Sequence, residues 1–173
     1  MERIKTGIIG CGKGAHLHAQ ALLNLPESVF TGVYSRTFKS AQSFAEKYNV
    51  KAYESIEEMA EKGGIEAVII CTPHPAHAKV AVRAAKAGMH ILVEKPLASS
   101  LEDADAIISA AKDNGVTLGT ISQRRFYPAS MRVKQAIEAG KIGRPILGTV
   151  NMLGWRNEAY YNSDPWRGAG DGE

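Results

Sequence analysis

The sequence predicts an α/β fold in which a parallel β-sheet is wound on both faces by helices. Over residues 1–123, six short runs with the composition of buried strands alternate with helical patterns. Parallel strands need crossovers of this kind, and right-handed crossovers place helices on both sides of the sheet. After residue 123 the alternation stops. Residues 124–173 are therefore predicted to begin a second, α+β domain.

The strands are predicted from short apolar runs that are bounded by turn residues. They cover residues 4–9, 30–34, 50–53, 66–71, 89–93 and 116–121. The run at 66–71 has the strongest character of a buried strand, since it is apolar almost throughout.

Helices are predicted between these strands from apolar residues at helical spacing. The first helix is predicted to bury the residues that share one face, Ala15, Ala19 and Leu22, and a second covers residues 38–48. Two Ser-x-x-Glu sequences are capping boxes, which predict helix starts after Ser55 and Ser99. The helix after Ser99 is predicted to bury Leu101, Ala104, Ile108 and Ala111.

After residue 123 the sequence predicts fewer elements than in the first domain. A helix is predicted over residues 128–139 and a long strand over residues 146–153. Because a lone strand and a lone helix cannot bury each other's apolar faces, we expect this second domain to be incomplete within residues 124–173.

The composition is that of an ordinary soluble globular protein, with 45% hydrophobic and 23% charged residues. The net charge of +3 is spread along the chain and does not indicate nucleic-acid binding. No apolar run approaches the roughly 20 residues of a membrane span, and no signal peptide is recognised before the first strand. Two cysteines do not form a disulfide framework. We expect a cytoplasmic protein with reduced thiols and no membrane partner.

The most informative motif is Gly10-x-Gly12-x-x-Ala15, which joins the first strand to the first helix. Gly10 permits a tight turn, and Gly12 lets backbone approach a pyrophosphate without a Cβ in the way. N–H groups of the first helical turn would then face the phosphates. The predicted cofactor loop comprises Gly10, Cys11, Gly12, Lys13, Gly14 and Ala15. A tight strand-to-helix turn without a ligand is the alternative.

The end of the second strand indicates which dinucleotide is bound. An NAD-selective site usually has a carboxylate there, whereas this chain has Ser35-Arg36-Thr37 with Lys39 nearby. Arg36 can pair with a 2′-phosphate and stack on adenine, which a carboxylate would not favour. The sequence therefore favours NADP(H), with NAD(H) as the alternative. The alternative interpretation is that Arg36 is a solvated loop residue that contacts no cofactor.

Two further strand ends carry candidate site residues. Cys71-Thr72-Pro73-His74-Pro75 follows the fourth strand, and its two prolines indicate an ordered turn along the cofactor. Glu94-Lys95-Pro96 follows the fifth strand, where the Lys95 amine could exchange a proton with a substrate oxygen as hydride moves. Pro96 indicates a special turn, of which a cis peptide bond is one form. A surface Glu/Lys pair is the alternative interpretation.

Four histidines lie on two predicted neighbouring loops, which raises the hypothesis of a zinc site: His16, His18, His74 and His77. We do not favour it, because no acidic residues stand nearby to orient histidine ligands. No metal is therefore expected.

Together these residues resemble the glucose–fructose oxidoreductase/inositol dehydrogenase/MocA family. The similarity runs through the chain, and its most specific piece is Ala84–Leu97, Ala-Ala-Lys-Ala-Gly-Met-His-Ile-Leu-Val-Glu-Lys-Pro-Leu. It also includes Gly-Ile-Ile-Gly-Cys-Gly at residues 7–12, Cys-Thr-Pro at 71–73 followed by His77, and Gln123-x-Arg125-Phe126. Trp166-Arg167-Gly168 matches the segment that precedes the family's glycine-rich stretch.

The resemblance implies an NAD(P)-dependent oxidoreductase acting on a sugar, polyol or sugar derivative. Lys95 matches the lysine that assists proton transfer and holds the reacting oxygen. The positions that match cofactor contacts are Thr72, His77, Glu94, Gln123, Trp166 and Arg167, while Tyr160 and Tyr161 are candidates for the sugar site. The family's second domain, a largely antiparallel sheet, also implies homo-oligomer contacts.

The chain departs from the family in length, because the family's catalytic histidine and its acidic partner would follow Glu173. A fragment of a longer enzyme and a truncated relative are both consistent with this. The alternative function is a dinucleotide-binding module without catalysis, such as a sensor or an assembly subunit.

Overall fold

The structure, a computed structural model, describes residues 3–163. These residues fall into two compact units, 3–121 and 122–163. None of the helices in the described residues is long and apolar enough to cross a bilayer.

The first unit is built on a six-stranded parallel sheet with strand order β3-β2-β1-β4-β5-β6. The strands are β1 (Ile4–Ile9), β2 (Ser28–Tyr34), β3 (Lys51–Tyr53), β4 (Ala67–Ile70), β5 (His90–Val93) and β6 (Leu118–Thr120). The chain runs outward from β1 to β3 and then returns to the other side of β1 as β4. Ligands of such sheets bind at this reversal, beyond the carboxyl ends of the strands.

Five helices connect these strands. They are α1 (Ala15–Asn24), α2 (Phe38–Tyr48), α3 (Ile56–Glu61), α4 (His77–Lys86) and α5 (Leu101–Asp113). Successive β1 residues enter different cores: Ile8 packs with α1 and α2, whereas Ile9 packs with α3, α4 and α5. Because neighbouring side chains of a strand point to opposite faces, the helices cover both sides of the sheet. The predicted doubly wound parallel sheet is confirmed.

The helix starts are partly as predicted. α1 buries Ala15, Ala19 and Leu22, which confirms its face. Ser55 caps α3 by accepting the N–H of Glu58 at 3.0 Å, but the Glu58 carboxylate accepts the N–H of Glu54 instead of closing the box on Ser55.

The predicted start of α5 is wrong, and its predicted face is only partly right. Its cap is Ser100, whose Oγ accepts the N–H of Asp103 at 3.1 Å. Ser99 and Ser100 both have an acidic residue three positions later, so sequence spacing does not distinguish them. The helix buries Ile107, Ala110 and Ala111 and exposes Leu101 and Ile108, so Ala111 is the member of the predicted face that is buried.

The second unit contains α6 (Pro128–Glu138) and the short α7 (Glu158–Tyr161). The prediction of a helix after residue 127 is confirmed, but the long strand predicted over residues 146–153 is not found. These residues are exposed, and none of them is paired as a strand in the part of the chain that the structure describes. A strand requires a hydrogen-bonding neighbour, which its own alternating pattern cannot supply.

Candidate functional site

The glycine loop closes tightly against the end of β4. Gly10 has φ of +98°, and a Cβ placed there would lie 2.8 Å from the Thr72 nitrogen and 2.9 Å from the Cys71 carbonyl carbon. Its N–H donates to the Tyr34 carbonyl at 2.8 Å, which also ties the loop to β2. Gly10 therefore meets both a conformational and a steric requirement for glycine.

Gly12 lies in different surroundings. A Cβ built on Gly12 would meet nothing within 4 Å. Residues 12–14 are exposed, and Ala15 is fully buried where α1 packs on the sheet. The N–H groups of Ala15 and Leu17 donate to the Gly12 and Gly14 carbonyls at 3.1 Å, so the first turn of α1 is partly satisfied by the loop itself. The open space at Gly12 lies at this N-terminal end of α1, where a phosphate is favoured by the helix dipole.

The end of β2 borders a cleft of about 420 Å³. Ser35 is half-buried, Arg36 and Thr37 are exposed, and residues 35–40 contain no carboxylate. The cleft is lined by Cys11, His16, Thr37, Lys39, Ser40, Ser43 and Phe44. Sequence reasoning missed Ser40 and Ser43, although the three-residue spacing from Thr37 was a signal that they share the start of one helix.

At the end of β4, the N–H of Cys71 donates to the Ile9 carbonyl at 2.8 Å. The next residue, Thr72, has a buried Oγ1 with no hydrogen-bond partner among the described residues. A buried hydroxyl without a partner is costly, so this atom fits a site that a polar ligand completes.

The turn after β5 carries Lys95. The N–H of Glu94 donates to the Ile70 carbonyl at 3.0 Å, which fixes the start of the turn beside β4. Glu94 Oε1 lies 2.8 Å from His18 Nε2, and Oε2 accepts the N–H of Lys95 at 3.1 Å. The Lys95–Pro96 peptide bond is cis, and the Lys95 side chain is exposed. Because His18 belongs to α1, this helix supports the Lys95 turn through the Glu94 carboxylate.

His16, His18 and His77, three of the four histidines, have separate hydrogen-bonding partners. The His16 ring stacks on Phe44 with centroids 4.8 Å apart, and its Nδ1 lies 2.7 Å from the Tyr48 hydroxyl. His18 contacts Glu94, and His77 contacts two backbone carbonyls. Within residues 3–163, no group of three His, Cys, Asp or Glu side chains could hold a metal ion. The hypothesis of a histidine zinc site has no support in this geometry.

Both cysteines lie at the predicted cofactor edge. Burial raises the pKa of the Cys11 thiol to about 12. Burial, followed by the negative charge of Glu94 and by Cys11, raises the pKa of the Cys71 thiol to about 12 as well. These thiols are poor nucleophiles at neutral pH, since the thiolate is the reactive form.

The first unit brings together predicted residues from the carboxyl ends of β1, β2, β4 and β5. Gln123 lies in the second unit, in the turn Gln123–Phe126, where it is exposed. Trp166 and Arg167 lie outside the described residues. The cofactor contacts assigned to these three residues remain predictions.

The residues present fit a dinucleotide. The space at Gly12 would admit a pyrophosphate, and the unpartnered Thr72 hydroxyl could bond a polar group of the cofactor. A bound nicotinamide would supply or accept a hydride at this edge.

Comparison with known proteins supports this interpretation. Residues 4–122 match the model of the Gfo/Idh/MocA oxidoreductase family, described as having an NAD-binding Rossmann fold. The chain is 35% identical over 144 residues to trans-1,2-dihydrobenzene-1,2-diol dehydrogenase of Danio rerio, covering 82% of this chain and 43% of that protein. It is 34% identical over 147 residues to scyllo-inositol 2-dehydrogenase (NAD(+)) of Bacillus subtilis, covering 84% and 43%.

Solved structures show the same similarity. The WlbA dehydrogenase from Bordetella pertussis, in complex with NADH and UDP-GlcNAcA, superposes with a TM-score of 0.91 at 28% identity, covering 99% of this chain and 50% of that one. A variant of KijD10, a 3-ketoreductase from Actinomadura kijaniata with TDP-benzene and NADP, superposes with a TM-score of 0.73 at 28% identity, covering 82% and 46%.

The chain spans about half the length of these relatives. The matched residues include the glycine loop, the Thr72 turn and the Lys95 turn, all at one edge of the sheet. The chain belongs to the Gfo/Idh/MocA oxidoreductase family, and residues 4–122 carry its NAD-binding Rossmann fold.

Proposed function

We propose that this chain forms the cofactor-binding part of an oxidoreductase that moves a hydride between NADP(H) and a sugar, polyol or sugar-derivative alcohol or ketone. The observation that carries the proposal is the common edge of the sheet, where the Gly10–Gly12 loop, Thr72 and the Lys95 turn meet. The relatives named above include dehydrogenases and a ketoreductase, which supports this reaction class.

The preference for NADP(H) rests on the end of β2. WlbA was solved with NADH and KijD10 with NADP, so both nucleotides occur among similar structures. In this chain Arg36 is exposed beside a cleft that Lys39 and hydroxyl groups line. Two cations and no carboxylate favour a 2′-phosphate over a bare ribose hydroxyl.

Lys95 is proposed to move the proton that accompanies the hydride. During oxidation, the neutral amine takes the proton from the substrate hydroxyl, and during reduction the ammonium returns it to the carbonyl oxygen. Its backbone is held by Glu94, so the flexible part is the side chain alone. The amine is therefore anchored at its base while its end remains free to reach a substrate.

The cofactor preference is tested by titrating NADPH and NADH into the full-length protein and its Arg36→Ala variant. Because a charged pair is lost, we expect Arg36→Ala to weaken NADPH binding by about tenfold or more and NADH binding by less than about twofold. Lys79→Ala, which removes an exposed lysine from α4, is the matched control. Equal losses for the two nucleotides would remove the argument from the 2′-phosphate.

The reaction class is tested by following NADPH oxidation with a panel of keto-sugars, and NADP⁺ reduction with the corresponding polyols. Turnover of at least one substrate is expected. Tight NADPH binding with no turnover across the panel would favour the alternative, a binding module without catalysis.

As the family resemblance implies, we also propose a homo-oligomer that assembles through the second domain. From the composition, we propose that the protein works in the cytoplasm. Sedimentation of the full-length protein tests the assembly, and a monomer at micromolar concentration would contradict it. Fluorescence imaging of the tagged full-length protein tests the compartment.

A further inference from the structure

We propose that His77 positions Lys95 by bridging two turns through its ring nitrogens, one facing the Pro96 carbonyl and the other facing the Thr72 carbonyl. This inference rests on the proposed function, because it assigns a task to the turn that carries Lys95. It makes His77 a positioning residue, whereas the family resemblance implied a cofactor contact.

The His77 ring lies between two strand ends. His77 is the first residue of α4 and is fully buried. Its Nδ1 lies 2.9 Å from the Pro96 oxygen, and its Nε2 lies 2.9 Å from the Thr72 oxygen. The ring therefore joins the turn after β5 to the turn after β4, and neither ring nitrogen is left to bond a cofactor.

The two contacts hold the ring in one orientation. A carbonyl oxygen only accepts hydrogen bonds, so a ring N–H of His77 donates to the carbonyl that it faces. A buried donor without an acceptor is costly, and the Pro96 and Thr72 carbonyls supply the acceptors here. The His74 ring packs against the His77 ring with centroids 5.6 Å apart.

The arrangement holds Lys95 from both sides. Glu94, the residue before it, is held by His18 of α1, and Pro96, the residue after it, is held by His77 of α4. The second bond holds the backbone of Thr72, the residue with the unpartnered buried hydroxyl. The His77 ring therefore fixes the distance between the turn that carries Thr72, a proposed cofactor contact, and the turn that carries Lys95, the proposed proton carrier.

The direct test is long-range ¹H–¹⁵N correlation NMR of the full-length protein at neutral pH, with His77 assigned by comparison with the His77→Gln variant. We expect a hydrogen-bonded His77 ring N–H that exchanges slowly with solvent. A ring N–H that exchanges as fast as that of an exposed histidine would overturn the proposal. This readout needs no turnover, so its failure is separate from failure of the proposed function.

The kinetic test uses His77→Phe, which keeps a ring but has no donor. Because the Lys95 turn loses one anchor, kcat should fall by about tenfold or more while NADPH affinity changes by less than about threefold. His77→Gln, which keeps one donor, should recover part of kcat. His90→Gln, at the amino end of β5, is the matched control. Equal kcat values for His77→Phe and parent would overturn the proposal, and the NMR result decides if that variant does not fold.

Discussion

His18 Nε2 lies 2.8 Å from Glu94 Oε1, and through this contact the first helix after the glycine loop supports the turn that carries Lys95. The side chains of His18 and Glu94 are 17% and 27% exposed, so water screens the contact only in part. The other oxygen of Glu94 accepts the N–H of Lys95. One carboxylate thus couples the cofactor loop to the proposed proton carrier.

His18→Ala removes the anchor of Glu94 without removing its carboxylate. Since Glu94 can then rotate away from the Lys95 N–H, we expect kcat to fall by about three- to tenfold, with little change in NADPH affinity. Steady-state kinetics together with NADPH titration measure the two effects. Gln20→Ala, at an exposed position of α1, is the control. A parent-like kcat for His18→Ala would show that the contact does not position Lys95.

Lys95→Ala removes the proposed proton carrier itself. General acid–base catalysis contributes about 10²- to 10⁴-fold, so kcat/KM is expected to fall within that range. NADPH binding should stay within about threefold of the parent, because the amine acts on the substrate oxygen. Lys79→Ala should match the parent in both measurements. A Lys95→Ala enzyme within a few-fold of parental turnover would rule out this role.

Much of the fold could be predicted because its signals are local. Ile8 and Ile9 end a buried strand, and Gly10 follows where the backbone just after β4 comes within 3 Å of its Cβ position. The residues of α1 that the spacing predicts as buried are buried. Glycine placement, strand length and helical period are properties of short segments, so the sequence alone reveals them.

The remaining features depend on tertiary contacts. His18 and His77 were candidate ligands by spacing, yet their partners lie 76 and 19 residues away at Glu94 and Pro96. The buried face of α5 includes Ile107 and Ala110, which lie in one core with residues of α4, and sequence spacing does not reveal that packing. The run at 146–153 has the composition of a strand, but pairing requires a neighbour that composition does not specify.

The thiols should be nearly inert despite their position at the cofactor edge. Each has a pKa raised from 9.0 to about 12, so at pH 8 each carries roughly a thousandfold less thiolate than an ordinary cysteine. Alkylation by iodoacetamide, followed by mass spectrometry, should be correspondingly slow and should accelerate only as pH rises toward 12. The guanidinium-unfolded chain is the control, and it should react at the ordinary rate. Rapid modification of both native thiols at pH 8 would contradict this.

Gly10→Ala and Gly12→Ala separate the folding role of the glycine loop from its binding role. At Gly10 the new methyl would contact the Thr72 nitrogen and the Cys71 carbonyl carbon, on backbone with φ of +98°. The clash and the strained φ together should lower the free energy of unfolding by about 2 kcal/mol or more. Chemical denaturation without any nucleotide measures this loss.

At Gly12 the methyl would enter open space, so the free energy of unfolding should stay within about 0.5 kcal/mol of the parent. The same methyl would occupy the space proposed for the pyrophosphate, and NADPH binding should therefore weaken by about tenfold or more. Denaturation and NADPH titration of the two variants test both halves of the argument. If Gly12→Ala bound NADPH as tightly as the parent, the open space over Gly12 would not be the phosphate site. The N-terminal end of α1 would then have no ligand assigned to it.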